Sequence, residues 1–258
     1  MISIICPVTN NEILKMLLNS IKKQDYTNYE LIILDSKELN FKSASQTLNY
    51  GVSKASGDIL LFCHQDIEFL ETNALSKIVE YSSKYDFGIA GVAGRKASDD
   101  GCFTSVIMGK DRIAGGKYYL NEIVETDTLD ECMFIIKKNK FNGFEDLGDT
   151  WHFYSVEYSL RCKKNRQKVL LFPIHIYHLS PGYSLNYNYY DTLYKVGKKY
   201  KKDFNIIASP CCYVKNDAFL YFRCLYKKIK LFLKKILKIG VNNKWIIRCL
   251  EKKQLKIY

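Results

Sequence analysis

The residues best suited to chemistry are His64 and Asp66, which close the run Gly57-Asp58-Ile59-Leu60-Leu61-Phe62-Cys63-His64-Gln65-Asp66. An apolar segment of strand length ends in an imidazole and a carboxylate two residues apart. Alternation along a strand puts both on one side of the backbone, at the carboxyl end where open α/β sheets bind ligands. An oxygen ligand beside an imidazole suits a divalent cation, and a cation there would in turn hold a phosphate. The competing readings are structural: Asp66 capping a turn, and His64 satisfied at a strand end.

The elements that must position this pair alternate along the chain. Residues 2–6 (Ile-Ser-Ile-Ile-Cys) read as a strand closed by Pro7. Asn11 then heads a helix whose apolar residues Ile13, Leu14, Leu17, Leu18 and Ile21 recur at helical spacing. Residues 29–34 form a second strand ending at Asp35, 45–55 a helix with Gly57 beyond it as a stop, and the run into His64 a third strand. A helix over 74–85 and a strand over 87–92 continue the order. This βαβαβ sequence predicts an α/β fold, a doubly wound and mainly parallel sheet with helices on both faces. The glycine-bearing stretch 95–119 reads as loops or short edge strands. Strand character returns at 132–137, followed by a helix over 153–164 and a strand over 169–172.

Composition sets limits on function. A chain of 258 residues with 47% hydrophobic and 14% aromatic residues buries a substantial core. Its nine cysteines form no C-x-x-C pair, and several fall in apolar runs, which predicts reduced thiols with no disulfide framework or zinc site. No signal-peptide pattern precedes the first strand, so a cytoplasmic location is expected. There is no Walker loop, and Gly88, Gly91 and Gly94 follow a helix instead of opening one, so a nucleotide here would be held by strand-end side chains and a metal.

The net charge of +12 is unevenly spread. Residues 213–258 hold thirteen Lys/Arg against two acids, leaving 26 against 25 in the first 212. Within 218–239, Arg223, Lys227, Lys230, Lys234 and Lys238 recur every three or four positions between aromatic and aliphatic residues. Charges this frequent forbid a simple membrane span, but a basic stripe on an apolar helix suits the surface of an anionic membrane, with Trp245 as a further anchor. A helix packed on the body with a solvated lysine face is the alternative. The apolar share is too high for a segment that tracks nucleic-acid phosphates, so no nucleic-acid partner is expected. The sequence thus divides at 210, into a body over 1–210 and a membrane-associating tail over 211–258.

Seven segments, in order, resemble the GT-A-fold glycosyltransferases of family 2. Ile2-Ser3-Ile4-Ile5-Cys6-Pro7-Val8-Thr9-Asn10 is similar to the family's opening strand and loop. Tyr29-Glu30-Leu31-Ile32-Ile33-Leu34-Asp35-Ser36 resembles the strand whose terminal Asp contacts the nucleoside. Ser45 to Gly51 with Ala55-Ser56-Gly57-Asp58 looks like the helix before the metal strand, and His64-Gln65-Asp66 stands where the family has D-x-D. Asp127-Thr128-Leu129-Asp130-Glu131-Cys132 resembles the sugar-side segment, and Trp151-His152-Phe153-Tyr154-Ser155-Val156-Glu157 the acceptor-side helix. His178-Leu179-Ser180-Pro181-Gly182 is similar to the stretch that completes the metal shell.

The resemblance implies an inverting transferase that takes a UDP-, GDP- or dTDP-linked sugar, with Mn²⁺ or Mg²⁺ held by Asp66, His64 and His178. It implies donor contacts at Pro7, Thr9, Asp35, Ser45, Asn49, Gln65 and Asp66, and acceptor contacts at Trp151 and His152. A surface glycan, lipid-linked at the inner face of the membrane, is the expected acceptor. One departure stands out: the family's catalytic Asp is replaced by Ser155, which at its ordinary pKa cannot take a proton unaided. Glu157, Asp130, Glu131 and Asp149 remain as candidate bases, with an ion pair to Arg161 as the competing role for Glu157. A catalytically silent protein that binds a nucleotide sugar or a partner is the alternative.

Overall fold

The near-continuous apolar run Ile2–Val8 forms β1, buried on both faces as a central parallel strand must be. In this computed structural model, which describes residues 1–36, 38–180 and 185–240, α1 (Asn11–Ile21) follows. Its cap is Asn10, one residue before the expected Asn11, because the Asn10 side chain accepts the N–H groups of Glu12 and Ile13. Next come β2 (Tyr29–Asp35), α2 (Ala44–Lys54) and β3 (Ile59–Cys63). β1 pairs in parallel with both β2 and β3, with Val8 opposite Asp35. The carboxyl ends of β1 and β2 therefore lie side by side.

Gly57 does more than follow a helix. A Cβ there would stand 2.7 Å from the Met1 carbonyl and 2.8 Å from the Ser3 nitrogen, so close approach to the start of β1 requires glycine. The end of α2 falls to Ala55.

After β4 (Ile67–Phe69), α3 (Ala74–Lys84) and β5 (Ile89–Gly91), the glycine-bearing middle forms short strands. They are β6 (Ala93–Arg95), β7 (Cys102–Thr104), β8 (Val106–Met108), β9 (Ile113–Ala114), β10 (Tyr118–Tyr119), β11 (Val124–Glu125) and β12 (Thr128–Leu129). β13 (Met133–Lys137), α4 (Tyr154–Lys164), β14 (Val169–Leu171), β15 (Ile176–His178) and α5 (Tyr187–Lys199) complete the body. The main sheet runs β11-β14-β5-β13-β3-β1-β2. It is mixed: β13 lies antiparallel to both β3 and β5, and β11 antiparallel to β14. Core side chains cover both faces, with Leu17, Ile78 and Phe172 on one and Leu48, Phe62 and Tyr158 on the other.

The hairpin and helix that follow α5 are tied to the body more closely than a division at 210 implies. That boundary falls inside a hairpin of β16 (Ile206–Ser209) and β17 (Cys212–Lys215). Helix α6 (Leu220–Gly240) begins by burying Leu220 and Cys224 in a third apolar cluster with Phe153, Val156 and Leu193. The described cysteines are all free thiols.

Candidate functional site

β3 stops at Cys63, and a turn carries the chain into β4. His64 and Asp66 therefore meet across a turn and not along one strand face. His178 joins them because β15 pairs antiparallel with β4, which sets His178 opposite Ile67. The Asp66 carbonyl accepts the Leu179 N–H at 2.9 Å, and its Oδ2 accepts the Ser180 N–H at 3.2 Å. Two chain segments more than a hundred residues apart are thereby latched at one carboxylate.

Three ligand atoms converge. His178 Nε2 lies 3.2 Å from Asp66 Oδ1, His64 Nδ1 lies 4.0 Å from the same oxygen, and the two imidazole nitrogens face each other at 3.5 Å. Two ring nitrogens and a carboxylate oxygen pointing at one small space fit a divalent cation, and the mixed donor set favours Mn²⁺ over Mg²⁺. The outer nitrogen of His64, Nε2, is fixed 3.1 Å from the Tyr154 hydroxyl, the kind of support that orients a ligating histidine.

The electrostatics favour a neutral His64 and an ionised Asp66, and hold a proton on His178 that a bound cation would displace. The surrounding protein and the neighbouring His178 disfavour the His64 imidazolium, so its pKa is lowered and the ring is neutral at pH 7. Burial pulls His178 the same way, but the hydrogen bond to Asp66 outweighs it and raises its pKa. Burial would raise Asp66, yet the same hydrogen bond and the charge of His178 hold its carboxyl below the ordinary range.

Gln65, the middle residue of the turn, clamps the loop after β1. Its Oε1 accepts the N–H groups of Thr9 and Asn10, each at 3.0 Å, and its Nε2 donates to Thr9 Oγ1 at 3.0 Å. Thr9 and Gln65 thus hold each other, beside Pro7. Asp35 ends β2 next to them, and its Oδ1 accepts the Glu38 N–H at 3.2 Å. Two expected donor contacts lie elsewhere. Ser45 is buried in the first turn of α2. Asn49 spends its amide on the backbone of Phe144, donating to the carbonyl and accepting from the N–H, both at 2.8 Å, because α2 needs that link to the 141–150 loop.

Glu157 is not in the site either. Its side chain is 1% exposed and meets Lys199 at 2.8 Å, the Tyr200 hydroxyl at 2.7 Å and Arg161 at 3.6 Å. Helical phase turns it into the α4–α5 interface, so its role is structural. Glu157→Ala is expected to cost about 1–3 kcal/mol in urea unfolding while leaving nucleotide affinity unchanged, because the Tyr200 hydroxyl loses its acceptor while Lys199 keeps Glu145 and Arg161 keeps the Gly143 carbonyl. Ser155 also faces inward, fully buried, donating to the Leu129 carbonyl at 3.1 Å.

Asp130 and Glu131 line a cavity of about 30 Å³, room for a water or a hydroxyl. The cavity is walled by Phe153, Val156 and Tyr189 and roofed by Ser209-Pro210-Cys211 of the hairpin. Asp130 Oδ1 accepts the Cys132 N–H at 2.9 Å. Glu131 has one carboxylate oxygen, Oε1, shut from solvent with no hydrogen-bond partner. Its other oxygen lies 4.0 Å from His152 Nδ1. Burial, then the Asp130 charge, push its pKa well above the ordinary carboxylate range, against the opposing N–H groups of Phe153 and Tyr154 at the start of α4. Phe153 takes the left-handed conformation there, with φ 69°. His152 packs edge-on against Tyr189, Trp151 is exposed, and Asp149 is exposed at the same loop. The hairpin roof and Tyr189 gave no signal in the sequence, since they are apolar or small residues brought in by topology.

A model described as "Glycosyltransferase like family" matches residues 3–206. Among solved structures, the mannosyltransferase PcManGT from Pyrobaculum calidifontis, in complex with GDP-Man and Mn²⁺, is similar over 100% of this chain and 80% of its own, at 12% identity and TM-score 0.57. S. aureus TarS 1–349 is similar over 77% of this chain at 14% identity and TM-score 0.51, and this chain spans only 64% of that structure. GalNAc-T7 with UDP, GalNAc and Mn²⁺ matches over 77% of this chain and 47% of its own, at 14% identity and TM-score 0.56. Comparison with curated proteins finds no match. The fold is the GT-A type expected from the sequence.

Proposed function

Because this chain belongs to the glycosyltransferase like family, whose model spans residues 3–206, we propose that it moves a sugar from a nucleotide-sugar donor to an acceptor hydroxyl, with inversion. The observation that carries this reading is the convergence of His64, Asp66 and His178 at the end of the central sheet. When bound there, a divalent cation supplies Lewis-acid neutralisation of the donor diphosphate. In this reading Asp35 and Pro7, at the neighbouring carboxyl ends of β2 and β1, contact the nucleoside. Similar folds crystallised with UDP, UDP-GlcNAc and GDP-Man support a nucleotide-linked donor for this chain too.

The base in this reading is Glu131. The acceptor hydroxyl enters the small cavity and gives its proton to a Glu131 carboxylate oxygen. The hydroxyl oxygen then forms the new bond to the anomeric carbon, while the bond to the diphosphate oxygen breaks and its electron pair leaves with the nucleoside diphosphate. A carboxylate with one unpartnered oxygen and a raised pKa is a stronger base than an ordinary one. Asp130 beside it places negative charge near the oxocarbenium-like sugar. The inward-turned Ser155 favours a second reading, a donor-binding protein without turnover.

Calorimetric titration with UDP, GDP, dTDP and CMP, with and without Mn²⁺, tests the donor site. Metal-dependent binding of one nucleotide is expected. No binding by any of them in the folded protein would refute the donor site, and binding without turnover on candidate sugars would favour the second reading.

A further inference from the structure

Helix α6 is amphipathic in an unusual sense, with its apolar stripe facing away from the protein. Phe219, the residue before α6, and Phe222, Tyr226, Ile229 and Leu233 within it recur at spacings of three and four, and all are exposed, Phe219 at 64% and Phe222 at 62%. The body-facing side is a different one, carrying Leu220, Cys224 and Leu231. At roughly 100° per residue the two stripes lie on opposite sides of the helix. Each basic residue of the series, Arg223, Lys227, Lys230 and Lys234, directly follows a residue of the apolar stripe. The basic row therefore runs along the edge between the outward face and the body. Of these, Arg223 pairs with Asp217, while Lys227 and Lys234 are exposed.

An outward row of large aromatic and aliphatic side chains has no solvation advantage in water. Anionic lipid matches it in both respects, taking the apolar row into the acyl boundary and the basic edge at the headgroups. We propose that α6 docks this protein on an anionic membrane surface through Phe219, Phe222, Tyr226, Ile229 and Leu233. No helix among the described residues is long and apolar enough to cross a membrane, so the contact is one of lying on the surface. Trp245, expected as a further anchor, lies outside the described residues, and so does the side chain of Lys238.

The direction of α6 gives the docking a consequence. Leu220 packs on Gly197, Tyr221 on Tyr194 with ring centroids 5.4 Å apart, and Lys228 on Asp191 at 2.7 Å. The helix thus runs antiparallel to α5, toward the end of α5 where Tyr189 walls the Glu131 cavity. Under the transferase reading, an acceptor anchored in the same bilayer meets the protein on that side.

Flotation of the full chain with vesicles of phosphatidylcholine alone, or with about 30% phosphatidylglycerol, tests docking without any turnover. Recovery with the anionic vesicles is expected to exceed that with neutral ones by tenfold or more, and to fall about fivefold for each of Lys227→Ala and Lys234→Ala. Phe222→Asp with Ile229→Asp should abolish it while circular dichroism and nucleotide titration stay unchanged. Absence of flotation by the folded wild type, or equal flotation of the double variant, overturns the proposal. So does a dimer in solution that this double variant dissolves, since the apolar row would then be covered by a second copy. Flotation without nucleotide binding would leave docking standing and refute only the donor site.

Discussion

Asp66→Ala is expected to abolish metal-dependent nucleotide binding and to lower transfer by about 10³-fold or more, the equivalent of roughly 4 kcal/mol of lost charge neutralisation. Asp66 contributes twice at one position. Oδ1 faces both imidazoles, and Oδ2 accepts the Ser180 N–H that follows His178. Removing the carboxylate takes away the charged ligand and loosens the strand that carries the third. Asp66→Asn separates the two roles. It keeps an acceptor for Ser180 and the side-chain size, so the fold and melting temperature should change little while Mn²⁺ affinity collapses. Titration of Mn²⁺ into both variants checks this, and retention of wild-type affinity by Asp66→Asn would remove the carboxylate from the ligand set.

Glu131→Gln is expected to lower turnover by about 10²–10⁴-fold with donor affinity unchanged, the signature of a lost proton acceptor. Stability supplies an independent check. The folded-state pKa of Glu131 is raised, so the folded protein holds this proton more tightly than the unfolded chain does. Folding stability from this group is therefore complete below the ordinary glutamate pKa and declines as pH climbs from there through the raised value. The neutral amide has no such dependence. Glu131→Gln should melt higher than wild type at pH 8, with the difference shrinking toward pH 4.5. A variant that melts lower at both values, with turnover intact, would make Glu131 a structural residue. Gain in stability with loss of turnover is what a strained catalytic carboxylate predicts.

Much of the fold was legible from residue order alone. Apolar runs at strand spacing, an asparagine ahead of the first periodic helix (read one residue late, at Asn11), and an apolar segment ending in His64-Gln65-Asp66 are local signals, because alternation and capping act over a few residues. The antiparallel insertion of β13 was not legible, since strand direction is set by which partner the chain meets. Short strands such as β4 and β15 were hard to read for the same reason, and β15 is what delivers His178.

Residue order alone was enough for the alternating α/β layout, the chemical types of the candidate metal ligands and the basic character of α6. Packing set where each candidate lies. It turned Glu157 and Ser155 inward, tied Asn49 to Phe144, and left Glu131 with an unpartnered oxygen beside a cavity. It also turned the apolar row of α6 outward, which periodicity cannot fix. A helix of period 3.6 reveals that two faces differ, and only packing against α5 settles which of them the protein buries.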